Sequence, residues 1–174
     1  MYSQKSIVFF LTLIFLSIFT YGQANLSSGL TAYYPLDGNA RDYSGNSFDG
    51  NIYEATPTQD RFGNYNHAYS FDGNNDFIGL GNNFGDIFSN GNRQFAFSFW
   101  FKCNNLSGTN ILIDKAASNV CSESQYEWVI RTKDSHLNFV AFYSLDGTNA
   151  RNIECYKTLN TNTWYHVVGN FDGN

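Results

Sequence analysis

The amino-acid sequence predicts an all-β fold, a sandwich or jelly roll of two antiparallel sheets packed face to face. Three observations carry the prediction. No window of a dozen residues holds an apolar stripe at i, i+3, i+4 that is free of glycine and of strong alternation. Seven or eight short runs alternate with a period of two, and turn-forming residues separate them. Composition agrees: aromatic residues make up 18% of the chain against 14% charged, with only two prolines and abundant Asn, Gly, Ser and Thr.

The elements follow in order along the chain. Leu30–Leu36 (LTAYYPL) reads as a first strand, with Pro35 marking an edge or a strand end. Ala68–Phe71 and Phe77–Leu80 come next, separated by Asp72-Gly73-Asn74. Phe95–Cys103 (FAFSFWFKC) sets Phe95, Phe97, Phe99 and Phe101 on one face and Ala96, Ser98, Trp100 and Lys102 on the other. Four phenylalanines on one face must form core, because such rings bury on the order of 150–250 Å² each. Ile111–Asp114, Tyr126–Arg131, Leu137–Tyr143 and Trp164–Phe171 complete the series. Asp-Gly-Asn recurs at Asp37, Asp49, Asp72 and Asp172, with Asp-Gly-Thr at Asp146. The spacing is irregular, so these read as turns and not as a repeat unit.

The first 22 residues stand outside this pattern. A single lysine near the start, the apolar run Ile7–Phe19 and the small residues Thr20 and Gly22 form the pattern of a secretory signal peptide. The apolar run is several residues short of the roughly 20 needed to span a bilayer. The expectation is a chain exported after cleavage near Gln23, secreted or held at the cell surface, with residues 23–174 forming one domain and no membrane span. A net charge of −5 and a pI near 4.9 argue against a nucleic-acid partner, which calls for clustered Lys and Arg.

Export permits disulfides. Cys103, Cys121 and Cys155 allow one bridge and one remaining thiol. Cys121 lies in a polar stretch and Cys155 near a loop edge, which favours Cys121–Cys155. Cys103 closes an apolar strand, as a buried thiol or one awaiting a partner beyond residue 174. No Cys-x-x-Cys spacing suggests a metal.

Gly29-Leu30-Thr31-Ala32-Tyr33-Tyr34-Pro35 followed by Asp42-Tyr43-Ser44-Gly45-Asn46 resembles the opening of a LamG-like jelly roll, one of the concanavalin A-like lectin/glucanase sandwiches. Asp60–Gly63, Ala68–Ile78, Phe97–Lys102 and Trp164–Val168 carry the resemblance through the chain to Asn174. In that family further strands follow the aromatic-Asp-Gly turn, so the resemblance implies that the jelly roll continues past Asn174 and that this chain is its N-terminal part.

Four kinds of chemistry can be read on these residues. Asp42-x-Ser-Gly-Asn46 gathers hard oxygen donors suited to Ca²⁺. The resemblance implies a structural calcium held by Asp42, Gly45 and Asn46, with Asp72 as helper and a late acidic residue completing the set. The alternative is an Asx-type turn, in which Asp and Asn bond their own backbone. Glycoside hydrolysis needs two carboxyl groups across a cleft. Glucanases on this fold use Glu-x-Asp-x-x-Glu, and Glu123-Ser-Gln-Tyr-Glu127 lacks the middle Asp. His67, His136 and His166 are scattered, with no nucleophile motif near them. Glycan binding by aromatic faces and hydrogen-bonding groups could use Tyr126, Trp128 and Arg131, near His136 and Asn138, or the loop Gly81–Asn92; the alternative for Trp128 is a place in the sandwich core.

The expected function is a non-catalytic recognition module within a longer exported protein, binding a glycan or an extracellular protein partner. The alternatives are a glucanase-type hydrolase and a structural spacer in an adhesin.

Overall fold

The structure is a computed structural model that describes residues 27–82, 84, 94–116, 126–142 and 150–171. The chain divides into two units, Met1–Leu30 and Thr31–Asn174. The described part of the first is a turn closed by the Leu30 N–H on the Ser27 carbonyl at 3.3 Å. The second is all-β, and among the described residues it contains ten strands and no helix. They are β1 (Asn51–Tyr53), β2 (Thr56–Thr58), β3 (Ala68–Ser70), β4 (Phe77–Gly79), β5 (Phe95–Phe101), β6 (Thr109–Ala116), β7 (Tyr126–Lys133), β8 (His136–Phe142), β9 (Ala150–Cys155) and β10 (Tyr165–Phe171).

All pairings are antiparallel. The largest sheet has the order β6-β7-β8-β9, and β10 pairs with β5 over seven residues from Tyr165↔Phe101 to Phe171↔Phe95. Phe97 meets Phe139 of β8 at 5.8 Å between ring centroids, and Phe95 meets Trp128 of β7 at 6.0 Å. These contacts pack the phenylalanine face of β5 on one face of the four-stranded sheet, as a sandwich of aligned sheets requires. Phe101, Leu106, Leu159 and Val167 form the buried cluster, with Phe97, Phe99, Cys103, Leu112, Leu137 and Tyr165 packed against it. The alternation read in FAFSFWF therefore holds: Phe97, Phe99 and Phe101 point in, while Ala96, Ser98 and Trp100 point out.

One expected strand is corrected. Leu30–Leu36 is not a strand. Its backbone is tied to the next loop by the Tyr43 N–H on the Tyr33 carbonyl (2.8 Å) and by the Asp42 carboxylate on the Tyr33 N–H (2.9 Å), and it turns away at Leu36, where φ is +60°. Asp72-Gly73-Asn74 does make a turn, but the strands on either side do not pair: β3 joins β2, and β4 joins β1. Ala150–Cys155, absent from the strands that alternation predicts, is the strand β9 at one end of the four-stranded sheet.

A tight hairpin joins β7 to β8 through Asp134 (φ +48°) and Ser135 (φ +67°), the conformation of a type I′ turn. Backbone bonds hold it from outside: the Ser135 N–H donates to Leu106, and the Ser135 carbonyl accepts from Leu159.

Candidate functional site

The sequence-predicted calcium loop is a closed hydrogen-bonded unit. Asp42 is buried, and its Oδ1 accepts the N–H of Tyr33 (2.9 Å) and of Ser44 (2.8 Å). Its Oδ2 accepts the Ser44 hydroxyl (2.8 Å) and the Phe48 N–H (3.0 Å). Burial pushes this carboxyl up, but the N–H groups of Ser44, Tyr33 and Phe48 and the Ser44 hydroxyl outweigh it and hold the pKa at about 2. Asp49 Oδ1 accepts the Asp42 N–H at 2.8 Å, and Asn46 donates its amide to the Thr31 carbonyl at 2.9 Å. Gly45 supplies the turn with φ of +98°. Burial, then the charges of Asp42 and Asp49, raise the Tyr34 phenol to about 12, and its hydroxyl donates to the Phe48 carbonyl at 2.6 Å.

A carboxylate offers about four acceptor positions, and at Asp42 the chain itself fills four. Asp72 lies in a separate exposed turn, its oxygens on the Asn74 N–H (2.8 Å) and side-chain amide (3.0 Å). Among the described residues no three His, Cys, Asp or Glu side chains converge. These residues do not fit a calcium site. Their arrangement is the Asx-type turn, and it serves to tie the segment after Thr31 to Asp42–Asp49.

The predicted glycan residues are not brought together. Trp128 pairs with Ala141 and Arg131 with Asn138 in a regular register, so the two side chains leave opposite faces of the sheet. Trp128 takes the core face, its ring 6.0 Å from Phe95 and 6.4 Å from Phe139. Arg131 does neighbour Asn138, but Asn138 is only 2% exposed, and its amide nitrogen has no hydrogen-bond partner among the described residues. Tyr126 begins β7 beyond a bulge opposite Ala116. Glu127 lies in β7, whereas Glu123, most of the loop Gly81–Asn92 and Cys121 fall outside the described residues. Cys155 is an exposed thiol at the end of β9, and Cys121, its expected bridge partner, lies outside the described residues. Cys103 is also a free thiol, and burial raises its pKa.

A different surface assembles on the outward side of the β5–β10 pair. Trp100 and His166 are register partners, and their rings stack at 4.8 Å with 14° between planes. The Ser98 hydroxyl lies 2.8 Å from His166 Nε2 and fixes the imidazole against the indole. Arg61 reaches the same indole from the turn Asp60–Asn64, with its guanidinium carbon 4.5 Å from the Trp100 ring and 4.2 Å from the Phe62 ring. That turn is shaped by Asp60, whose carboxylate accepts the N–H of Phe62 (2.8 Å) and of Asn64 (2.9 Å) and the Asn64 amide (3.1 Å). One residue past the end of β5, Lys102 Nζ sits 5.2 Å from the Trp164 ring.

Trp100 is 44% exposed, Phe62 72% and Val168 68%, a concentration of large apolar surface on the strand pair and the turn beside it. Exposed apolar area rimmed by polar groups marks an interaction surface. The sequence carried half of the signal, since alternation already turned Trp100 and His166 outward. The approach of Arg61 across 39 positions of chain had no local signal. A second exposed aromatic pair, Tyr53 and Phe77, stacks at 4.4 Å over the bare backbone of Gly79.

No curated protein and no solved structure gives a significant match to this chain. A protein-family comparison does: residues 72–174, more than half of the chain, match the family described as concanavalin A-like lectin/glucanases superfamily. The match spans β4 to β10, both layers of the sandwich and the Trp100–His166 face. By fold and by this match, the chain belongs to the concanavalin A-like lectin/glucanase superfamily of laminin-G type.

Proposed function

We propose that this protein is a non-catalytic recognition module, exported through its N-terminal signal, that binds a glycan through the outward face of β5–β10. The observation that carries this reading is the exposed indole of Trp100, fixed by His166 and Arg61 on two paired strands. Sugar rings present flat C–H faces that suit an aromatic surface, while Ser98, His166 and Lys102 offer hydrogen-bonding groups around it. Strands hold such groups more rigidly than loops do, which lowers the ordering cost of binding. Aromatic and cationic groups dominate this face, whereas glycoside hydrolysis calls for two carboxyl groups at a set separation.

The test is a glycan array with the full exported chain and its Trp100→Ala variant. The reading expects retention of one or more polysaccharides by the wild type and loss of at least about tenfold in affinity for Trp100→Ala, equivalent to about 1.4 kcal/mol. Equal binding by the two proteins would place the ligand elsewhere. Release of reducing sugar from a bound β-glucan would make the protein a hydrolase instead.

A further inference from the structure

Taking the glycan reading as its basis, we infer that the ligand of this face is an acidic polysaccharide, and that Arg61 reads the carboxylate of a uronic acid in it. Three features lead there. The first is the state of Arg61. Its guanidinium is exposed and lies over two aromatic rings, Phe62 and Trp100, with no hydrogen bond or ion pair among the described residues. Contact with ring faces engages the charge and leaves the N–H donors free. Those donors form a planar fork that matches the two oxygens of a carboxylate.

The second feature is that the acid next to it in the chain does not serve as its partner. Asp60 spends its carboxylate on three donors within its own turn. The same three bonds fix the turn from which Arg61 projects, so the arginine is held in place before any ligand arrives.

The third is charge segregation. The whole chain carries 15 Asp and Glu against 10 Lys and Arg. Yet the outward positions of the strand pair and its flanks are Ala96, Ser98, Trp100, Lys102, Trp164, His166, Val168 and Asn170, with no acid among them. Arg61 and Lys102 each sit against an indole, so two cations flank an aromatic surface on a protein that is acidic elsewhere. Such a face attracts an anion, and the carboxylate beside Arg61 in the chain, that of Asp60, is already occupied by three donors of its own turn. A carboxylated pyranose satisfies both parts: its ring lies on the aromatic surface and its carboxylate meets the arginine fork.

The experiment measures affinity of the full exported chain for polygalacturonate, an unsubstituted β-glucan and dextran sulfate, with Arg61→Gln and Arg61→Lys beside the wild type. The inference expects polygalacturonate to bind, with affinity that falls as salt is raised. It expects Arg61→Gln to lose at least about tenfold, the scale of a charge-assisted pair of hydrogen bonds. Arg61→Lys, which keeps the charge but not the fork, should fail to restore it. Binding of β-glucan alone leaves the glycan reading standing and overturns the acidic one. Dextran sulfate binding that survives Arg61→Lys shows a general anion patch and overturns the carboxylate assignment. Binding of none of the three overturns the inference, and an empty array as well would remove the reading beneath it.

Discussion

The ring of Phe97 lies across the backbone of Gly169, its register partner in β10: a β-carbon built on that glycine would come closer than 3.0 Å to three ring atoms. Phe97 is also the residue of β5 that touches Phe139 in the opposite sheet. One missing side chain therefore lets the central ring lie flat enough to join the two layers. The glycine follows Tyr165 and Val167 on the inward side of β10, at the position where that ring crosses the strand.

Gly169→Ala should destabilise the fold by about 2–3 kcal/mol, the cost of overpacking a core contact that cannot relax cheaply. Phe97→Leu placed in the Gly169→Ala background should recover part of that loss, a coupling of about 1 kcal/mol. Urea unfolding of the two single variants and the double variant measures it. Strictly additive losses would mean that the ring does not rest on the glycine.

The Asp42 carboxyl has a folded-state pKa of about 2, below the roughly 3.9 of an unfolded chain. Between those values the unfolded state binds more protons, so stability from this group is present above about pH 4 and is lost as pH falls through about 2. Asp42→Asn should flatten the acid limb of a stability–pH curve. Asp42→Ala, which strands the N–H groups of Tyr33, Ser44 and Phe48, should cost on the order of 3 kcal/mol near neutral pH. Because the chain already fills the carboxylate, adding calcium or a chelator should leave the melting temperature in place. A rise with calcium that disappears in Asp42→Asn would show instead that this loop ligates the ion.

The two thiols should react at different rates. Cys103 is half-buried against the core cluster, where burial raises its pKa, while Cys155 is exposed at the end of β9. The thiolate is the reactive form, so iodoacetamide at neutral pH should label Cys155 first and reach Cys103 only as the fold opens. Peptide mass spectrometry over a labelling time course decides it. Equal rates in the folded protein would mean that Cys103 is not shielded.

Sequence patterns showed what each strand does to its own neighbours and little about which strand it meets. FAFSFWF announced its two faces because four phenylalanines in alternation leave no other reading. Asp72-Gly73-Asn74 announced a turn, since that is local chemistry, but pairing of β3 with β2 and of β4 with β1 is set by contacts distant in sequence. ARNIEC escaped because Ile153 is its one large apolar residue and is itself exposed. Trp128 and Arg131 do not share a face, because a separation of three along a regular strand puts two side chains on opposite sides. At Asp42 the sequence left ion and turn equally open, because both use the same oxygens; only the positions of the N–H donors separate them.

The β7–β8 hairpin offers a last test, on the backbone itself. Asp134 and Ser135 both take left-handed φ, and for an L-residue other than glycine that costs roughly 1–2 kcal/mol. Asp tolerates it better than Ser, having a short side chain that bonds locally. Glycine at the second position removes the steric cost and adds some unfolded-chain entropy, so Ser135→Gly should stabilise the protein by about 0.5–1 kcal/mol. The backbone bonds to Leu106 and Leu159 survive that change, because they use only the main chain of Ser135. Ser135→Pro removes the N–H that reaches Leu106 and fixes φ at the wrong sign, so it should destabilise by more than the glycine gains. Thermal unfolding of the two variants reads both effects. A loss of stability in Ser135→Gly would show that the serine side chain, not the turn conformation, holds this corner.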